Sequence, residues 1–137
     1  MRDLSDEHVH ILVGCAQNVR FAPGEFMVHE GDEESTFYLV REGSISLESH
    51  IPGRRPATVE TLGPGDVLGV SWMFARARAH VDARARESVL AFALDGSCLR
   101  ARIATDDALG HALARRLLEL TYRRLERLRL QNLDVYR

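Results

Sequence analysis

The stretch FAPGEFMVHEGDEESTFYLVREGSISL, residues 21–47, decides the fold class of this chain of 137 residues. It consists of short apolar or alternating runs, rich in β-branched and aromatic residues, that glycine breaks at near-regular intervals. In the last run Ile45 and Leu47 point to one side of a strand, while Ser44, Ser46 and Glu48 point to the other. Such runs predict several short β-strands joined by tight turns.

The same texture continues over residues 19–94, where many short strands at this spacing predict an all-β roll, sandwich or barrel. Residues 1–18 predict a short N-terminal helix, with Ser5 as its N-cap and apolar side chains at helical spacing after it. Residues 95–137 predict a short helix, a break and a long C-terminal helix. The expected fold is therefore one domain over residues 1–137, mainly β with flanking helices.

The composition is that of a globular protein, with 45% hydrophobic and 28% charged residues. No apolar run approaches the length that spans a bilayer, and the N-terminus lacks the apolar core of a secretory signal. We therefore expect a cytoplasmic protein without membrane contact. Cys15 and Cys98 do not fall in a CxxC or other metal-ligand spacing, which favours two buried free thiols over a disulfide or an iron–sulfur site.

Charge is unevenly distributed along the chain, and every basic residue is an arginine. Residues 1–75 carry 5 Arg against 12 acidic residues, a net charge of −7. Residues 76–137 carry 13 Arg against 8 acidic residues, a net charge of +5, and the two halves sum to −2. One interpretation is that an anionic ligand contacts the second half. The other is that the two halves attract each other across the fold.

The long C-terminal helix has more apolar surface than one small β-domain covers. Asp106 and Asp107 open it, where their charge suits the positive end of the helix dipole. Leu118 and Tyr122 widen its apolar stripe beyond one face. The stripe itself consists of Leu109, Leu113, Leu117, Leu120, Leu125 and Leu128. We expect a second copy of the chain to cover this surface across a two-fold axis, with packing inside one chain as the alternative.

The order of the elements and several glycines together resemble the cyclic-nucleotide-binding domain family, which includes the sensor domains of catabolite-activator-type bacterial regulators. Gly24, Gly31 and Gly43 fall at turns between strands. LGPGDVLG at 62–69 matches the approach to the family's phosphate-binding cassette, and SVLAFALDGSCLR at 88–100 matches the strand and short helix that follow. The resemblance covers nearly the whole chain and implies a double-stranded, jelly-roll-like β-roll.

The resemblance implies a ligand site in the segment that begins GVSW at Gly69. In the family, backbone amides and an arginine hold a cyclic phosphate, and a glutamate holds the ribose hydroxyl. Gly69 falls at the family's glycine, but Val70 takes the place of the glutamate and cannot accept a hydrogen bond from a sugar. The amides from Leu68 onward and the hydroxyl of Ser71 remain as donors for a phosphate.

The arginine of the cassette is displaced in this sequence. Ala77 stands at the family's usual arginine position, flanked by Arg76 and Arg78. A shift of one residue would bring either guanidinium to the site, and otherwise both are solvated loop charges. We favour Arg78, because it lies closer to a strand expected to begin at His80. Trp72, the only tryptophan, would either cover a ligand or plug the ligand's space.

His80 and Asp82 alternate and would share one face of that strand. A metal site would need a third ligand, which the spacing of the six histidines does not supply, so we expect a hydrogen-bonded pair that steadies the roll. A divergent subgroup of single-domain family members shares a segment that matches Arg78, His80, Asp82 and Ala83, and a closing LDVY like that at 133–136. The chain thus resembles a subfamily with a consistently altered cassette.

Thr121 and Tyr122, on the long helix, lie about where members of the family often cap a bound base. The tyrosine would stack on a purine and the threonine would hydrogen-bond to its edge. The alternative for Tyr122 is ordinary packing in a dimer.

These features predict a non-enzymatic regulatory sensor domain. The sequence contains no Ser/His/Asp or Cys/His arrangement that suggests a nucleophile, and no P-loop. The expected ligand is a small anion such as cyclic AMP or cyclic GMP, signalling through the C-terminal helix of a homodimer. The alternative is a degenerate domain, closed by Val70 and Trp72, that serves as a dimerisation or protein-docking scaffold. Since the chain stops at Arg137, soon after the apolar stripe, we expect no DNA-binding helix-turn-helix.

Overall fold

The computed structural model describes residues 4–33, 35–70 and 78–135. Three helices and eight strands are assigned within these ranges. In chain order they are α1 (Asp6–Gly14), β1 (Ala16–Phe21), β2 (Phe26–Val28), β3 (Thr36–Glu42), β4 (Ile45–Ser49), β5 (Ala57–Leu62), β6 (Val67–Leu68), β7 (Asp82–Ala85), β8 (Val89–Asp95), α2 (Gly96–Ile103) and α3 (Asp107–Val135).

The strands form two four-stranded antiparallel sheets, which confirms the predicted β-roll with a short N-terminal and a long C-terminal helix. The first sheet has the order β1-β8-β3-β6, and the second has the order β2-β7-β4-β5. Apolar side chains from both sheets fill the space between them, as the alternation in β4 predicts, because Ile45 and Leu47 lie in this core. Ser46 and Glu48 of the same strand instead bond to Thr58 and Arg84.

A second core lies between the three helices and the other side of the first sheet. Phe37 of β3, Leu99 of α2 and Leu113 of α3 are fully buried in it. The neighbouring residue of β3, Tyr38, packs instead with the core between the sheets. Strand β3 therefore separates the two cores and contributes alternate side chains to each.

Glycine supports the turns that the sequence predicts between strands. Gly31 and Gly43 both lie in such turns with φ of 91°, a conformation that glycine adopts without steric cost. A Cβ at Gly43 would also collide with the carbonyl oxygen of Ser88, so both the backbone conformation and the lack of space exclude larger residues from this turn. The connection between β4 and β5, residues 50–56, is exposed throughout.

The helix and strand boundaries differ from the predicted ones at three places. Ser5 caps α1 as predicted, but the helix ends at Gly14, because β1 already pairs with β8 from Ala16 onward. Strand β8 continues to Asp95, one residue beyond the expected end of the roll. The strand expected to begin at His80 begins at Asp82, whose carboxylate accepts a hydrogen bond from the Glu30 amide at 2.7 Å.

The prediction of two free thiols was wrong. Cys15 and Cys98 form a disulfide that joins positions 83 residues apart. The spacing of the two cysteines carries no signal for this pair, because the link depends on β1 pairing with β8, which brings the end of α1 beside the start of α2.

Among the residues described, no helix is long and apolar enough to cross a membrane.

Candidate functional site

A cavity of about 130 Å³ lies where β2, the β2–β3 connection and β3 meet the end of β6. It adjoins the start of the segment in which the sequence predicts a ligand site. Typical small-molecule pockets hold roughly 300–1,000 Å³, so the cavity is small by comparison. Its lining residues are Met27, Val28, Asp32, Glu33, Ser35, Thr36, Tyr38 and Gly69.

Gly69, one of the predicted site residues, lines the cavity. Its φ is +90°, a conformation that side-chain-bearing residues rarely adopt. A Cβ at this position would lie 3.0 Å from the carbonyl oxygen of Thr36, so Gly69 also allows the chain to approach β3 closely. The glycine therefore lets the backbone run along the cavity wall.

Tyr38 offers a hydroxyl group at the same cavity. Its phenol is protonated at neutral pH, as an ordinary tyrosine is, and can donate a hydrogen bond, while burial raises its pKa further above 10.0. Its ring lies edge-on to that of Phe21, with centroids 5.8 Å apart, which fixes the ring plane. Thr36 and Tyr38 were not among the site residues predicted from the sequence. The only signal for them was that both fall on the same face of a strand expected near the cassette.

Arg78 lies beside the connection between β2 and β3. It forms an isolated β-bridge with Glu33, and its guanidinium donates to the carbonyl oxygen of Gly31 at 2.9 Å. Since Glu33 and Asp32 line the cavity, the local field combines one arginine with two carboxylates. A bound anion therefore requires Arg78 to offset those carboxylates.

Leu68 and Val70 flank Gly69 and direct their side chains into different cores. Leu68 is buried in the core between the sheets. Val70 is partly buried and packs against the core between the helices and the first sheet. The residue at the family's glutamate position thus contributes to helix packing, while the backbone of this segment borders the cavity at Gly69.

The predicted His80–Asp82 pair is replaced by a different contact. His80 is exposed in a bend, and Asp82 bonds to the amide of Glu30 on the neighbouring segment. Asp82 therefore steadies the turn after β2. Within residues 4–33, 35–70 and 78–135, no three His, Cys, Asp or Glu side chains are grouped so that they would hold a metal ion.

Of the five remaining predicted site residues, three lie outside the described residues and two do not line this cavity. Ser71, Trp72 and Arg76 lie outside the described residues. Thr121 lies on α3, where its hydroxyl donates to the Leu117 carbonyl at 2.8 Å. Tyr122 is 53% exposed on the same helix, and a hydrogen bond to Glu126 raises the pKa of its phenol. Their role in capping a base stays a prediction.

Helix α3 is tied to the strands that lead into the cavity by Arg124. Its guanidinium donates to both carboxylate oxygens of Glu60 at 2.8 and 2.9 Å, and to the carbonyl of Val67 at 3.1 Å. Hydrogen bonding to Glu60 raises the pKa of Arg124. Arg127 adds a bidentate contact to Asp66 at 3.2 and 3.3 Å. Because Val67 lies two residues before Gly69, this tie joins the long helix to the cavity wall.

These ion pairs bear on the uneven charge distribution. Arg84–Glu48, Arg124–Glu60 and Arg127–Asp66 each join an arginine of the second half to an acidic residue of the first. The alternative in which the two halves attract each other across the fold therefore accounts for part of the asymmetry.

With this geometry established, comparison with known proteins gives the family. The model of the cyclic nucleotide-binding domain family matches residues 18–106, which is more than half of the chain. This chain belongs to the cyclic nucleotide-binding domain family. The matched region runs from β1 to the residue before α3 and includes every lining residue of the cavity.

Solved structures and a curated relative extend the comparison. A cyclic nucleotide-binding domain from Methylobacillus flagellatus superposes with a TM-score of 0.84 at 22% identity, over 96% of this chain and 74% of that chain. The Thermus thermophilus catabolite activator protein gives a TM-score of 0.72 at 27% identity, over 98% of this chain and 61% of that one. Homo sapiens cGMP-dependent protein kinase 2 is 23% identical over 70 residues, which are 50% of this chain and 9% of the kinase. The chain thus spans less than a tenth of that relative's length.

Proposed function

We propose that the chain is a non-enzymatic sensor domain that binds a small anionic ligand, cyclic AMP or cyclic GMP, at the cavity beside Gly69. The observation that carries the proposal is Gly69 itself. A glycine with positive φ brings the backbone against Thr36 at the place where the family has its phosphate-binding cassette. Among the described residues we find no group of reactive side chains that would support a catalytic function instead.

The groups proposed to bind the ligand are few and of distinct kinds. Backbone amides at Gly69 and Val70 would donate to the phosphate, as amides in a turn favour an anion. The Tyr38 hydroxyl, which is protonated at neutral pH, would donate one further hydrogen bond. Arg78 would supply the positive charge by exchanging its bond to the Gly31 carbonyl for one to the phosphate.

The signal would pass to α3 through Arg124. Ligand contacts at Gly69 act on the strand that Arg124 holds at the Val67 carbonyl, so a shift of the cassette changes the position of the helix. A ligand shifts such an equilibrium only by its difference in affinity for the two arrangements. Arg124 is therefore proposed as the link between site and helix.

The output surface would be a homodimer interface on α3. Leu118, Tyr122 and Leu125 are 70%, 53% and 44% exposed and follow one another at i, i+4 and i+7, and Leu130, 62% exposed, lies further along the helix. Replacing Leu118 with Glu is expected to convert a dimer into a monomer, whereas Ile51→Glu, at a residue 54% exposed in the β4–β5 connection, leaves the dimer intact. Light scattering after size exclusion measures both. A monomeric unmodified protein would contradict the dimer proposal.

The degenerate-scaffold alternative has specific support as well. Val70 packs toward the helices, Arg78 already has a partner, and two carboxylates line a small cavity. In that case the domain would act as a dimerisation or protein-docking scaffold without a ligand. The difference between the two functions is the presence of saturable nucleotide binding.

Calorimetric titration with cyclic AMP and cyclic GMP separates the two. The sensor function predicts saturable heat for at least one nucleotide and a loss of about tenfold or more in affinity for Arg78→Ala. Arg86→Ala is the matched control, because Arg86 is exposed and bonds to Thr61 on the second sheet. Flat heats for both nucleotides would favour the scaffold.

A cytoplasmic location remains part of the proposal. Stable disulfides are typical of oxidising compartments, and cytoplasmic ones are usually transient or redox-sensing. A cytoplasmic sensor with the Cys15–Cys98 bond therefore requires that bond to be opened and closed in the cell.

A further inference from the structure

The disulfide borders a second, larger cleft. This cleft has a volume of about 340 Å³, and both cysteines line it. Cys98 is partly exposed, whereas Cys15 is only 7% exposed. The other lining residues are Gly14, Ala16, Gln17, Thr36, Ala93 and Asp95. A reagent that enters the cleft therefore reaches the sulfur–sulfur bond.

The segments joined by the disulfide are also hydrogen-bonded to one another. The Asp95 amide donates to the Cys15 carbonyl at 2.9 Å. The Asp95 carboxylate in turn accepts from the Ser97 amide at 2.9 Å and from the Cys98 amide at 3.4 Å, which caps α2. The disulfide and Asp95 thus hold the end of α1 and the start of α2 as one unit.

This unit is in direct contact with the wall of the candidate ligand cavity. The Gly96 amide donates to the Ser35 carbonyl at 2.8 Å, and Thr36 pairs with Asp95 across the sheet. A Cβ at Gly96 would lie 2.7 Å from the same Ser35 oxygen, so the two segments are too close together for a side chain at position 96. Thr36 lines both the cleft at the disulfide and the cavity at Gly69.

We infer that Cys15–Cys98 is a redox-modification site, reduced by a dithiol through the cleft, and that its state sets the ligand affinity of the cavity through Ser35 and Thr36. The inference deepens the proposed function and rests on it for the ligand. The dithiol is a small molecule or a thioredoxin-type protein, and the two share the same exchange chemistry.

The exchange proceeds in two steps that balance. A thiolate of the dithiol attacks the sulfur of Cys98, the partly exposed partner, so the Cys15–Cys98 bond breaks and the Cys15 thiolate leaves and takes up a proton. The second thiolate of the dithiol then attacks the mixed disulfide and releases Cys98 as a thiolate, which is protonated. Two electrons pass to the protein, and the dithiol becomes a disulfide.

Reduction removes the one covalent tie between α1 and α2, so the start of β3 is then held only by hydrogen bonds, those at Asp95 and Gly96 and those of its pairing with β8 and β6. A looser wall lowers ligand affinity, because binding must then order it. The oxidised form is thus the high-affinity form.

The test uses the whole chain in oxidised form and after treatment with dithiothreitol, with the reduced thiols then blocked by iodoacetamide. Mass spectrometry counts the alkylated thiols, and circular dichroism checks that the reduced protein stays folded. Hydrogen exchange measures the amides of residues 35–38. Titration with cyclic AMP and cyclic GMP measures affinity in both states. The Cys15→Ala/Cys98→Ala variant is the control, because dithiothreitol should change none of its properties.

The expected result is two alkylated thiols in a folded protein, faster exchange at residues 35–38, and a loss of affinity of about fivefold or more on reduction. A bond that dithiothreitol opens only in denaturant, or a reduced protein with unchanged exchange at residues 35–38, would overturn the inference. So would equal nucleotide affinity in the two states. If exchange at residues 35–38 changes on reduction but neither state binds a nucleotide, cyclic nucleotides are not the ligand and the claim about ligand affinity is wrong. The coupling between the disulfide and the cavity wall would then still hold.

Discussion

The two sides of β3 face very different surroundings. On the helix side, Phe37 is fully buried against apolar side chains of all three helices. On the opposite side, Val40 is buried in the core between the sheets, but Thr36 and Tyr38 border a cavity that Asp32 and Glu33 also line. The helix side of β3 is thus filled by apolar packing, whereas the opposite side keeps a small space beside the turn at Gly69.

A single strand, β3, thus separates the packing between the helices and the first sheet from the proposed ligand site. Filling the helix side fixes where β3 and α3 lie, whereas the polar side can change without loss of that packing. Substitutions on the helix side should therefore affect stability most, and those on the cavity side should affect binding more than stability.

The largest effect is expected from Leu113→Ala on the helix side. Leu113 is fully buried, so the cavity left by its side chain should lower the free energy of unfolding by about 2–5 kcal/mol. Leu118→Ala, at a residue 70% exposed on the same helix, is the control and should change it by less than about 0.5 kcal/mol per monomer. Urea denaturation at low protein concentration measures both. Equal losses would mean that the two leucines are buried alike in solution.

Gly69→Ala tests the turn that shapes the cavity. Its positive φ and the close Thr36 oxygen should together cost about 1–3 kcal/mol of stability, and nucleotide binding should be lost. Gly24→Ala has a similar φ of +84° but nothing within 4 Å of the added Cβ, so it isolates the strain of the backbone alone. If Gly24→Ala were the more costly of the two, the close approach to Thr36 would have no energetic role.

Arg124→Ala should loosen the tie between α3 and the cavity wall. It removes three hydrogen bonds from a partly buried guanidinium and leaves Glu60, whose side chain is 13% exposed, without them. We expect a loss of about 1–2 kcal/mol in thermal or urea denaturation. Arg123→Ala removes only an exposed pair with Glu119 and should cost less than about 0.5 kcal/mol. If the two variants had the same stability, Arg124 would not be the tie between α3 and the cavity wall.

Tyr38→Phe should have the smallest effect on stability at pH 7, within about 1 kcal/mol, while weakening nucleotide binding. The pH dependence has a definite sign. Burial raises the folded-state pKa above 10.0, so the unfolded chain ionises first as pH rises through that value, and the unmodified protein loses stability there. Tyr38→Phe should be free of this loss. Parallel alkaline stability curves for the two proteins would contradict it.

The alternation of apolar residues and the turn glycines predicted an all-β roll, sandwich or barrel, the resemblance to a known family selected the β-roll, and apolar side chains at helical spacing predicted the flanking helices. Ile45 and Leu47 carry that signal locally, as do Gly31 and Gly43. The site was predictable only in part, because a cavity depends on which strands become neighbours. Gly69 was found through the resemblance of its segment to a known cassette, whereas Thr36 and Tyr38 reach it only through the pairing of β3 with β6.

The Cys15–Cys98 bond shows the same limit. The two residues are far apart in the sequence, and nothing in their spacing indicates the pairing of β1 with β8 that brings them together. The expected start of a strand at His80 failed for a local reason, since Asp82 bonds to the turn after β2 and leaves His80 exposed in a bend.

The most direct test of the sensor account is hydrogen exchange of the unmodified protein with and without saturating cyclic AMP, repeated with cyclic GMP. The account predicts slower exchange with at least one nucleotide at residues 36–38 and 67–70, together with a change along α3 near Arg124. Residues 57–59 of β5, remote from the cavity lining, should not change. Unchanged exchange at 36–38 and 67–70 with both nucleotides would contradict the claim that this cavity is a cyclic-nucleotide sensor site.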